Sequence, residues 1–182
     1  MDAPVVVCAS GNLAHVYFNV HGGKVSLSAI NTAHPRLVDA LVLHAGIGLV
    51  IVYNDESTPL VLGKEGARDL VTGIVTGVDP LQPYARPDLR AQQLRRVAQF
   101  PHAGDLIIVS TLYPDEQVAA FEELVGSHGG LGGEQTTAFL VHPANMHMPE
   151  TTNSTDVFAV LNARRGQLDE PPLRASASRR SS

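Results

Sequence analysis

The feature that most constrains this chain is the distribution of its apolar residues: short β-branched runs, each closed by Gly, Asn, Asp or Pro, alternate with stretches of helical spacing. Runs of that length fill one crossing of a sheet and are too short for long helices. Val5 to Ala9 and Ala14 to Val20 flank the turn Ser10-Gly11-Asn12, and His21-Gly22-Gly23 supplies another turn before Val25 to Leu27. An antiparallel meander is therefore expected to open the chain. Leu49 to Tyr53 and Leu106 to Val109 read as buried strands, with Pro59 to Leu62 beside the first across the polar loop Asn54 to Ser57. Ala138 to Val141 resembles a last core strand.

Helical spacing fills several of the gaps. Ser28 is a candidate cap for a helix carrying Ile30, Leu37, Val38, Leu41 and Val42 to the core, with Pro35 marking an irregularity or a start near His34. Arg86 to Phe100 places Leu89, Leu94 and Val97 on one face and Arg90, Arg95 and Arg96 largely outside, and Asp115 to Leu124 reads as a short helix. The Gly-, Pro- and Asp-rich segment 63 to 87 is expected to be an ordered excursion with one helical turn near Ala67 to Leu70. Strands alternating with helices predict an α/β or mixed α+β fold, with helices packed against a sheet. At 182 residues, one domain over 1–165 is expected, followed by a tail, 166–182, too polar to offset its ordering entropy.

The net charge of −5, with no cluster of Lys and Arg, argues against a nucleic-acid partner. Cys8 is the only cysteine, which excludes a disulfide framework and a cysteine-rich zinc site and fits a reducing, cytoplasmic setting. Surrounded by Val5 to Ala9, it reads as a buried small hydrophobe. No apolar run approaches the roughly 20 residues of a bilayer-spanning helix, and the N-terminus shows neither a basic segment nor a signal-like apolar core.

Chemistry is most concentrated in Gly126-Ser127-His128-Gly129-Gly130-Leu131-Gly132-Gly133. Glycine permits close backbone approach and positive φ, so these residues could project the His128 imidazole from a tight loop. Neutral imidazole is a good ligand for zinc and similar ions. A histidine in an ordinary surface turn is the plainer alternative.

The block Gly126-Ser127-His128-Gly129-Gly130, followed by Ala138-Phe139-Leu140-Val141-His142-Pro143, resembles the last metal-binding segment of type I phosphodiesterases and related enzymes of the alkaline phosphatase superfamily. The resemblance extends upstream through Gly104-Asp105-Leu106-Ile107-Ile108, Asp79-Pro80-Leu81, Leu62 to Ala67 and Ser10 to Ala14, over roughly residues 4 to 145. It points to a bacterial subgroup whose longer members join such a segment to membrane helices. It implies the C-terminal part of an alkaline-phosphatase-like sheet, in which His128 is a ligand of a divalent metal, zinc or manganese. A Ser or Thr oxygen would then attack a phosphate or sulfate ester.

The nucleophile, the further Asp ligands and the Asp-His-Gly segment that such a site requires have no counterpart in this sequence. One histidine cannot hold a catalytic zinc, which takes about three protein ligands. The chain alone is therefore expected to be inactive, with an N-terminal half chain as its implied partner.

Asp105 is a candidate for orienting His128 from behind, or else a turn carboxylate. His102, His142 and His147 match no ligand spacing, Met146 and Met148 read as incidental, and His15, His34 and His44 read as core or surface residues. Two other readings remain: a non-catalytic binding or scaffold module derived from the same fold, and a small complete enzyme built on His102, Asp105 and His128.

Overall fold

The computed structural model describes residues 4–19, 22–123 and 125–168. The chain divides into two compact units, Met1–Ala138 and Phe139–Ser182, so the boundary falls well before residue 165. The first unit holds a seven-stranded sheet in the order β1-β2-β7-β3-β4-β5-β6. Its strands are β1 (Val5–Ser10), β2 (Leu13–Phe18), β3 (Ile47–Tyr53), β4 (Pro59–Gly63), β5 (Gly66–Asp69), β6 (Val75–Gly77) and β7 (Leu106–Ser110). Every neighbouring pair is antiparallel. With the helices described below, the architecture is mixed α and β, in agreement with the expected class.

β7 is the keystone because it arrives last and inserts between β2 and β3. Its residues alternate between two cores. Ile107 and Val109 join Leu49, Ile51 and Val61 under helix α3 (Pro87–Ala98), whereas Leu106 and Ile108 join Val50, Val52, Val16 and Ile30 on the opposite face. That is why these runs are apolar at every position: both faces of the central strands are covered. Each fully buried aliphatic side chain contributes about 1.5–3 kcal/mol relative to exposure.

The opposite face is covered by α1 (Leu27–Ala33) and α2 (Leu37–Leu43). The expected single helix breaks at Pro35 and Arg36, where Arg36 takes φ 69°. Its cap is Ser26, whose hydroxyl accepts from the Ala29 amide at 3.4 Å, rather than Ser28. Val25 to Leu27 consequently runs into a helix instead of forming a strand; only Ser26 bridges to Tyr53. α3 starts with Pro87 and Asp88 and ends with Arg95 and Arg96, a polarity that suits the helix dipole.

Three further expectations are corrected. The excursion after Gly63 is not helical near Ala67 but forms β5 and β6, extending the sheet at its edge. Described residues of the segment 115–124 form no helix; Leu112 pairs with Val118 across a turn in which Glu116 adopts φ 63°. Ala138 to Val141 is not a strand, and Phe139 and Val141 are 90% and 87% exposed.

In the second unit the main element is α4 (Ser154–Leu168), whose Asp156 carboxylate accepts from the Thr152 and Asn153 amides at 2.8 and 3.0 Å in a capping arrangement. Residues 166–168 thus belong to a helix rather than to a tail; 169–182 lie outside the described residues.

Candidate functional site

The His128 loop is built around the β1–β2 turn. Gly11 occupies φ 59°, and a Cβ there would lie 2.5 Å from the His128 carbonyl oxygen, so only glycine admits this approach. The next amide, Asn12 N, donates to that same carbonyl at 2.7 Å. Gly129 seats against Leu13 in the same way, since a Cβ would meet the Leu13 Cβ at 3.0 Å. Gly129 therefore serves packing against the turn, whereas Gly126 has open space around it.

Asn12, fully buried, organises the surrounding chain. Its Nδ2 donates to Ser110 Oγ at 2.9 Å and also to the Ala119 carbonyl, while its Oδ1 accepts from Ser127 Oγ at 2.5 Å. Its own carbonyl accepts from Ser110 N at 3.0 Å. One side chain thus ties the β1–β2 turn, the end of β7, the segment after Val118 and the histidine loop together. A buried amide with every polar atom engaged holds its neighbours in one arrangement.

The imidazole itself is exposed. Its Nε2 lies 3.4 Å from Ser10 Oγ at the end of β1, long for a hydrogen bond, and Glu122 reaches the same turn through the Gly11 amide, also at 3.4 Å. Among the described residues, no group of three His, Cys, Asp or Glu side chains is placed to hold a metal ion. The donor set at this loop is a single imidazole, so these residues do not make a metal centre by themselves.

Asp105 sits elsewhere. It precedes β7, whereas the His128 loop is tied to Ser110 at the other end of that strand, about 17 Å away at roughly 3.4 Å per residue. Its two carboxylate oxygens are taken by the amides of Phe18, at 2.8 Å, and Val25, at 3.0 Å. It is a turn carboxylate that closes the end of β2 over the entry to α1, and it does not orient His128. Lys24 lies beside it, donating to the carbonyls of Ala103 and of Gly104, the latter at 3.0 Å. Burial lowers the Lys24 pKa, an effect opposed by the Asp105 charge.

His102 lies at the Asp105 end, where its carbonyl accepts from Tyr17 OH at 3.0 Å. The His102–Asp105–His128 triad is therefore not assembled. His15 Nδ1 accepts from Gly104 N at 2.9 Å; its pKa is lowered by burial and then by Lys24. His34 stacks on Phe18, and His44 accepts from Gly46 N at 3.1 Å. His142, His147, Met146 and Met148 belong to the second unit. Cys8, expected to be buried, is exposed on β1. Sequence reading missed Ser10 and Asn12, which lie more than 110 residues from their loop partners; short-range spacing carries no signal over that separation.

No family profile, curated protein or solved structure matches this chain. Among the described residues, no helix is long and apolar enough to cross a membrane.

Proposed function

We propose that this chain is the histidine-bearing C-terminal part of a metal-dependent phosphoric or sulfuric ester hydrolase of the alkaline phosphatase type, in which His128 supplies one ligand and residues outside the chain supply the nucleophile and the others. The observation that carries this reading is the combination of an exposed imidazole with a fixed backbone: the His128 carbonyl is held by Asn12 N at 2.7 Å, against a turn that only Gly11 can form. A ligand donated to a separate polypeptide must be accessible, and its position must be set before the partner arrives. His128 meets both conditions. Among the described residues there is no three-donor metal group, and the Ser10 Oγ to His128 Nε2 approach, at 3.4 Å, is long for a hydrogen bond, so the reading assigns the nucleophile and the remaining ligands to residues beyond those described.

The test is metal content. The chain is co-expressed with the polypeptide encoded immediately upstream, the assembly is purified, and bound zinc and manganese are measured by mass spectrometry for wild type and His128→Ala. Loss of metal in the variant, with the assembly intact, is expected. Unchanged metal content would remove His128 from the ligand set. A second reading, a non-catalytic binding module, is favoured by the single-imidazole donor set and would be left standing by that result.

A further inference from the structure

The sheet ends in two unlike edges. β6 is three residues long and finishes at Gly77, whose φ of 75° turns the chain out of extended geometry. β1 is six residues long, holds one register with β2 from Val5↔Phe18 to Ser10↔Leu13 without a bulge, and has no strand on its other side among the described residues. Bonds on the β2 side show which way its backbone groups point. Asn19 N donates to the Pro4 carbonyl at 2.9 Å, so Pro4 and Asn19 form a hydrogen-bonded pair. Phe18 N instead turns away from β1 to the Asp105 carboxylate at 2.8 Å, and the Asn12 carbonyl accepts from Ser110 N on that same β7 side. Bonded and non-bonded pairs alternate along an antiparallel ladder. Val6, Cys8 and Ser10 therefore bond to β2, whereas the N–H and C=O groups of Val5, Val7 and Ala9 face the open edge.

Natural sheets blunt such an edge with a charge, a proline or a bulge. β1, Val5-Val6-Val7-Cys8-Ala9-Ser10, carries none of these. Its side chains are also left uncovered: Val7, on the face of α1 and α2 beside Val16, is 61% exposed, and Cys8 is exposed on the opposite face. The strand's own symmetry selects its occupant. An antiparallel two-fold axis at Val7 sets Val7 opposite Val7 of a second copy and Val5 opposite its Ala9, so each outward-facing N–H and C=O meets its complement and none is left over. Val6 then faces Cys8 of the second copy. Every cross-strand pair in this register is small and uncharged, so no like charges are brought together.

We propose that β1 is a self-pairing edge, through which two copies of this chain join antiparallel about Val7 into one continuous sheet. The proposal does not rest on the hydrolase reading. Sedimentation velocity of the full chain over a dilution series should show a monomer–dimer equilibrium. Amide exchange should slow with rising concentration at Val5, Val7 and Ala9, while Val6 and Cys8, bonded to β2, stay protected throughout. Val7→Lys sets two ammonium groups against each other at an exposed position and should weaken the dimer about tenfold, with circular dichroism unchanged. A Cys8→Ser, Val7→Cys double variant should oxidise to a covalent dimer, because Cα atoms of a hydrogen-bonded pair lie about 5.5 Å apart, within disulfide reach. The wild-type chain should not, since its two Cys8 Cα atoms would lie about 8 Å apart in this register. The cross-link decides the matter even where the lysine variant fails to fold. A monomer at every concentration would overturn the inference and leave the edge to a different polypeptide. A dimer indifferent to Val7→Lys, or one that cross-links through Cys8 and not in the double variant, would overturn it as well.

Discussion

At the scale of single residues, Asn12 matters more to this structure than the histidine it supports. Replacing it with alanine would remove the Asn12 partner of the buried Ser110 Oγ and the part-buried bonds to the Ala119 carbonyl and Ser127 Oγ. Asn12→Ala should therefore destabilise the fold by about 3 kcal/mol, read as a lowered midpoint in urea with an unchanged slope. His15 gives a pH-dependent counterpart. Its Nδ1 accepts from an amide and therefore needs a free lone pair, and burial, then Lys24, lower its pKa below the ordinary 6.5. The unfolded chain then binds this proton more readily than the folded one, so the stability contribution is present above pH 6.5 and is lost as pH falls through the lower folded value. Thermal melts between pH 7.5 and 5 should show a falling midpoint, and His15→Gln should flatten that dependence. The projecting His128 was legible from its flanking glycines. Its clamp was not, because Gly11 and Asn12 are brought to it only by the tertiary fold.

At the scale of elements, the sequence was most informative where burial was complete on both faces. β3 and β7 carry apolar residues at every central position and were plain from that alone. β5 and β6 were hidden because their residues include Arg68, Thr76 and Gly77, and β6 is exposed throughout. β5 is paired with β4 and β6, and its Arg68 also bonds Asp79 at 2.8 Å and Asp88 at 2.5 Å. The segment 115–124 has helical spacing, yet the antiparallel bridge of Leu112 with Val118 overrode it. α3 was anticipated, but the residues it buries are Ala91, Leu94 and Ala98 rather than Leu89 and Val97. Leu94→Ala should accordingly cost about 2–5 kcal/mol in chemical denaturation, whereas Leu89→Ala, at a half-buried position, should cost visibly less.

At the scale of the whole molecule, the first unit has two cores around one sheet, and the second has no fully buried position among its described residues. Ala138 to Val141 shows why an apolar run is not enough to specify a strand: Phe139 and Val141 pair with no strand among the described residues, and their backbone is irregular. Brief chymotrypsin digestion should cut at Phe139 while the first unit stays intact, seen by mass spectrometry. Both the exposed apolar run and the lone, fixed imidazole are what a chain would show if its site were completed by another polypeptide.

The most direct test of that account is ester turnover, measured with bis(p-nitrophenyl) phosphate, p-nitrophenyl phosphate and p-nitrocatechol sulfate in the presence of zinc or manganese. The account predicts no turnover above the metal background for this chain alone, turnover of at least one ester when the polypeptide encoded immediately upstream is added, and its loss in His128→Ala. Turnover by the chain alone, or joint activity that survives His128→Ala, would contradict it.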